Sequence, residues 1–88
     1  MLEITAEIIN NAGLHARAAS KLVALTSTYS ARIEIGSDKM VDGKSILSLM
    51  MLAAVKGTVL KIVADGEDEK QAITAIVALI NNRFDEDE

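Results

Sequence analysis

The chain has no cysteine, no proline and no tryptophan, and it has one tyrosine, one phenylalanine and one histidine. Without cysteine there is no disulfide framework, no thiolate metal site and no thiol nucleophile. One histidine with no carboxylate near it in sequence also falls short of a metal-ligand set. The scarcity of aromatic side chains, joined to a net charge of −4, argues against nucleic acid as a partner, because such sites need cationic surface and stacking platforms. No apolar run approaches the roughly 20 residues that span a bilayer. The opening residues, MLEITAEII, lack the basic start and long apolar stretch of a secretory signal. The expectation is a cytoplasmic protein with no membrane partner. No proline, repeat or low-complexity linker divides the chain, so residues 1–88 read as one domain.

Half of the 88 residues are hydrophobic. A domain of this size buries only about 60–65% of its unfolded surface, so that apolar content is needed to build a core without staples. The charge is uneven: residues 1–60 sum to +1 and residues 61–88 to −5. Acidity is therefore concentrated towards the C-terminal end.

Periodicity divides the chain into seven elements. MLEITAEI alternates, with Leu2, Ile4, Ala6 and Ile8 towards a core and Glu3, Thr5 and Glu7 away from it. After a turn at 11–14, Ala19, Leu22, Val23 and Thr26 recur at helical spacing, which predicts a helix from about residue 16. ARIEI is a strand with Ile33 and Ile35 inward, and KMV is a short strand broken by Asp42-Gly43. Ser45 is expected to cap a short helix with Ile46, Leu49, Met50 and Ala53 on its core side. TVLKIVA is a strand ended by Asp65-Gly66. Asp68 and Gln71 resemble a capping box, followed by a stripe of Ile73, Ile76, Val77 and Ile80. FDEDE is expected to fray into solvent. The order βαββαβα predicts an α+β fold: a four-stranded, largely antiparallel sheet with three helices on one face, an open-faced sandwich.

The chemistry concentrates at NNAGLHARAAS. His15 stands where a helix cap belongs, and the first turn holds the cation Arg17 instead of an acid. The first N–H groups of a helix have no intrahelical acceptor, and with the dipole they form an anion site. Arg17 adds a bidentate donor suited to phosphate oxygens. Positive surroundings disfavour imidazolium, so the ring is expected to be neutral, with a nitrogen lone pair able to act as a nucleophile. That arrangement suits phosphoryl transfer, which needs mainly positioning and charge stabilisation.

GLHARAAS resembles the active-site signature of the HPr and NPr phosphocarrier family of the bacterial phosphotransferase systems. The signature reads glycine, aliphatic, histidine, small, arginine, then proline or a small residue. Gly13, Leu14, His15, Ala16, Arg17 and Ala18 fit it in order, with alanine in place of the commoner proline. GKSILSLMML at 43–52 is similar to the family's second segment. The resemblance covers the whole chain and implies an HPr-like fold. It implies that His15 takes a phosphoryl group on Nδ1 from a phosphoenolpyruvate-dependent enzyme I and passes it to a histidine of a IIA-type acceptor. Ala16, Arg17 and Ala18 would bind the phosphate, without metal or cofactor and without turnover of the carrier's own. Ser20, Ile46, Leu47 and Met50 would form the docking rim. Ser45 becomes a candidate regulatory phosphosite as well as a cap. AIVALINNRFDEDE and MMLAA are similar to NPr, the nitrogen-related branch, and Ala24 and Ser27 stand where sugar-branch carriers often have lysine. Relay between two partners favours a monomer.

A regulatory binding module that never carries phosphate is the competing reading, but it has no need of the His15–Arg17 pair. An autonomous hydrolase or transferase lacks a second catalytic group.

Overall fold

The computed structural model describes residues 1–86. Its strands are β1 (Leu2–Glu7), β2 (Arg32–Gly36), β3 (Met40–Asp42) and β4 (Val59–Asp65). Its helices are α1 (Ala16–Thr26), α2 (Ile46–Met50) and α3 (Glu69–Asn81), followed by one 3-10 turn over Arg83–Asp85. The elements follow the expected βαββαβα order. The sheet runs β1-β4-β2-β3 and is antiparallel throughout.

Register explains the core. Ile35 lies opposite Ile62, which lies opposite Ile4, and Ile33 opposite Ala64, which lies opposite Leu2. Alternate side chains of neighbouring strands therefore share one face. On that face Ala6, Leu60, Ile62, Ala64, Ile33 and Ile35 are buried. Ala18, Ala19 and Leu22 of α1 and Ala72, Ile73, Ile76 and Ile80 of α3 join them in one core cluster. The expected inward positions Leu2 and Ile4 remain 39% and 38% exposed. β1 has a neighbour on one side only, so its first inward side chains keep an open flank.

One of the two expected caps departs from expectation. Asp68 precedes α3 but makes no capping bond; its carboxylate accepts the N–H groups of Ser30 and Ala31 instead. The reach-back contact comes from Glu69, whose Oε1 accepts Gly66 N–H at 3.1 Å. Ser45 does cap α2, its Oγ accepting Ser48 N–H at 3.2 Å. Of the apolar stripe assigned to α2, only Leu49 is buried. Ile46 and Met50 are exposed, and Ala53 lies beyond the helix at φ +51°. A five-residue helix has too little length to turn a four-member stripe inward.

Residues 83–86 depart furthest from expectation. Phe84 is fully buried, and Glu86 makes side-chain contacts described below, so this part of the acidic end is not solvated tail. The lone phenylalanine carries enough apolar surface to fold the chain back over α1. Asp87 and Glu88 lie outside the described residues. Among the described residues, no helix is long and apolar enough to cross a membrane.

Candidate phosphoryl-acceptor site

The turn before α1 is built by Asn10 and Gly13. Asn10 is fully buried. Its Nδ2 donates to the Gly13 carbonyl at 2.8 Å, and its own carbonyl accepts Gly13 N–H at 3.2 Å. Gly13 has φ +70°, and a Cβ there would stand 2.5 Å from the Ala54 carbonyl oxygen. Only glycine meets both demands without strain. The next residue, Leu14, is buried and donates its N–H to that same carbonyl at 2.9 Å. His15 is thus fixed at the helix start by a closed turn behind it and by the segment after α2 beside it.

His15 is the N-cap of α1, with extended backbone (φ −83°, ψ −178°). The imidazole is the cap, its Nδ1 accepting Arg17 N–H at 3.3 Å. Cap geometry matches that of a serine or asparagine acceptor, with a ring nitrogen in place of oxygen. The first intrahelical backbone bond runs from Ala19 N–H to the His15 carbonyl at 2.8 Å. The N–H groups of Ala16, Arg17 and Ala18 precede it and have no acceptor within the helix. No acidic residue occupies the first turn. Ala16 and Arg17 are exposed and Ala18 is buried.

The other ring nitrogen meets a residue that the sequence reading left in solvent. His15 Nε2 hydrogen-bonds Glu86 Oε2, and Glu86 Oε1 accepts Asn10 Nδ2–H at 3.0 Å. The side chains are partly covered, 29% exposed for His15 and 16% for Glu86. An ionised carboxylate only accepts, so Nε2 carries the ring hydrogen and the Nδ1 lone pair faces the helix amides. The His15 hydrogen bond is the main reason the Glu86 carboxyl lies below the usual carboxylate range. Burial opposes that shift, while the Asn10 amide and the nearby Arg17 charge add to it.

The remaining predicted positions separate into two groups. Ser20 is exposed on α1. On α2, Ile46, Leu47 and Met50 are 41%, 70% and 40% exposed. Met51 and Val55, absent from the expected rim, are 76% and 65% exposed. Large apolar side chains on every side of so short a helix were the signal that they could not all be core. Thr26 Oγ1 donates to the Gly43 carbonyl at 2.8 Å, holding the approach to α2 against the end of α1. Ser45 is half-buried and already engaged as a cap.

A ring nitrogen with its lone pair at a helix start that holds no acidic side chain, on an open-faced α+β sandwich, is an arrangement suited to accepting an anionic group covalently. The family model for the HPr component of the phosphotransferase system, described by its phosphorylation site, matches residues 2–82. The chain belongs to the HPr family. It is 54% identical to the phosphocarrier protein HPr of Pseudomonas aeruginosa, across 99% of this chain and 97% of that one. It is 40% identical to the phosphocarrier protein NPr of Klebsiella oxytoca, across 94% of each. The crystal structure of HPr-C-His from Thermoanaerobacter tengcongensis superposes with a TM-score of 0.95 at 44% identity, covering all of both chains.

Proposed function

We propose that the protein is a cytoplasmic phosphocarrier that takes a phosphoryl group on His15 Nδ1 from an enzyme I-type donor and delivers it to a histidine of a IIA-type acceptor. The observation that carries the reading is the direction of the Nδ1 lone pair, towards the start of α1, where it accepts only the long Arg17 N–H bond of 3.3 Å that an arriving phosphoryl group would take over. As the donor's bond to phosphorus breaks with its electron pair, that lone pair forms the N–P bond. The amides of Ala16, Arg17 and Ala18, with the Arg17 guanidinium, then face the phosphoryl oxygens. In delivery the N–P bond breaks and its pair returns to Nδ1. Each phosphoryl group taken up is passed on unchanged, so the carrier has no turnover of its own, and the reading calls for no cofactor.

Docking falls to Ser20, Ile46, Leu47 and Met50. Exposed methionine and aliphatic side chains adapt to more than one partner surface. We read the protein as a monomer, because both partners must reach the same site. Ser45 is a helix cap first. Its role as a regulatory phosphosite would be dismissed if no phosphoserine is found in protein isolated from its own cells across carbon and nitrogen sources.

The nitrogen-related branch is favoured by the NPr-like C-terminal stretch and by Ala24 and Ser27 in place of lysines. The sugar branch is the second reading, supported by the higher identity to a relative named HPr. The protein, and His15→Ala beside it, would be incubated with phosphoenolpyruvate and the enzyme I of each branch. Intact mass would be read in alkaline solution. One added phosphate, absent from His15→Ala and arriving faster from the nitrogen-branch enzyme, is the expected result. Faster labelling by the sugar-branch enzyme reverses the branch. No phosphate from either enzyme leaves the binding-module reading.

A further inference from the structure

We infer that Glu86 is a positioning residue for phosphoryl transfer at His15: it holds the hydrogen on Nε2, keeps the lone pair on Nδ1, and balances the charge the ring acquires. The inference rests on the phosphocarrier reading. When Nδ1 forms its bond to phosphorus while Nε2 keeps its hydrogen, the ring becomes formally cationic. A carboxylate already bonded to Nε2 meets that charge without rearrangement. On delivery the N–P bond breaks, the electron pair returns to Nδ1, and the ring is neutral again. A protonated ring is the better leaving group, so the same carboxylate assists both halves of the relay. Glu86 contacts the ring at Nε2, away from the Nδ1 edge where phosphoryl oxygens arrive, so it need not move aside.

The construction of residues 82–86 supports a built contact. Arg83, Phe84 and Asp85 all have positive φ, at 57°, 53° and 64°. Non-glycine residues seldom adopt that conformation, and never cheaply in succession. Several contacts hold it. Phe84 is fully buried, its carbonyl accepts Lys21 Nζ–H at 3.2 Å, and the Asp85 carboxylate lies 3.5 Å from Lys21 Nζ. Asn82 Nδ2 donates to Asp85 Oδ1 at 2.7 Å. The result delivers one carboxylate to the ring, with its second oxygen fixed by Asn10. Backbone strain so tightly over-determined points to a role at the site it serves. Partial cover from water also reduces screening of the carboxylate's charge.

Two variants separate geometry from charge. Glu86→Ala removes acceptor and charge; Glu86→Gln keeps a carbonyl acceptor and removes the charge. In 1H–15N spectra of the unphosphorylated protein, a His15 Nε2–H cross-peak is expected in the wild type, retained in Glu86→Gln and lost to exchange in Glu86→Ala. Transfer from the phosphorylated carrier to its acceptor is expected to slow roughly tenfold in both variants. The phosphorylated ring is expected to keep its Nε2 proton to higher pH in the wild type than in either. Equal or faster transfer by both variants, or a cross-peak indifferent to Glu86→Ala, would overturn the assignment while leaving the carrier reading intact. A wild type that takes no phosphate from any enzyme I would instead remove the carrier reading, and the assigned role with it.

Discussion

The carboxylate of Asp68 accepts the backbone N–H of Ala31 at 2.8 Å, joining the start of α3 to the entry of β2 across 37 residues. Its other oxygen accepts Ser30 N–H, also at 2.8 Å. The Ser30 bond does most to hold this carboxyl below its usual range; burial opposes it and the Ala31 bond adds to it. The stability from a depressed carboxyl is fully present above the unfolded-state value, about 4, and is lost as pH falls through the lower folded value. Asp68→Ala should lower Tm by roughly 4–8 °C at neutral pH for a domain of this size. The gap from the wild type should close in strongly acid solution. Calorimetry across pH checks both statements.

Phe84 fastens the last described turn, and its replacement tests that directly. Truncating a fully buried phenylalanine costs about 3–5 kcal/mol. Phe84→Ala should lose stability of that order in urea unfolding and should also release Glu86 from His15. Glu86→Ala, which leaves the aromatic anchor in place, should stay near the wild type. Similar losses from the two variants would show that the ring contact, not the anchor, holds the turn.

Ala53 occupies a left-handed position at φ +51° in the turn that follows α2, and it is exposed. Glycine reaches that conformation without the steric cost borne by a Cβ, although it gives the unfolded chain more freedom. Ala53→Gly should therefore raise stability by about 0.5–1 kcal/mol. The urea midpoint should rise with an unchanged slope.

Leu47 is 70% exposed, so an aspartate there should change stability by no more than about 0.5 kcal/mol. An apolar anchor at a docking centre is worth more, about 2 kcal/mol or roughly 30-fold. Leu47→Asp should slow phosphoryl exchange with donor and acceptor by that order while the His15 resonances stay in place. Unchanged exchange would move the docking surface away from α2.

Local pattern carried most of the fold. The alternation in RIEIG and VLKIVAD marks strands because each buries one face against helices, and the spacing of Ile73, Ile76 and Ile80 marks a helix lying on that face. The placement of His15 and Arg17 together was legible for the same reason: both belong to one helix start. The Glu86 contact was not. Residues 71 positions apart meet only through three left-handed residues and a buried phenylalanine, while the surrounding charge reads as solvated tail. A single phenylalanine amid acids was the one available sign. Asp68 misled in the opposite direction. Its local spacing fits a capping box, but its carboxylate is taken by backbone far along the chain.

Arg17 has an exposed side chain in the first turn of α1, and among the described residues its guanidinium forms no ion pair. A planar cation left free beside open helix amides is placed to receive phosphoryl oxygens rather than to brace the fold. Arg17→Ala should therefore leave Tm within about 2 °C, the scale of a neutral surface change. It should weaken retention of the phosphoryl group and slow its arrival by roughly tenfold, the loss of one charge-assisted pair. Arg17→Lys should recover only part of this, because a point charge cannot match two oxygens at once. Adding salt should narrow the gap between wild type and Arg17→Ala, since exposed charges are screened within about 10 Å at 0.1 M. Time courses of phosphohistidine formation and decay at two ionic strengths measure all three effects. If Arg17→Ala matched the wild type at low salt, the helix amides alone would suffice for the anion, and Arg17 would be an ordinary surface cation.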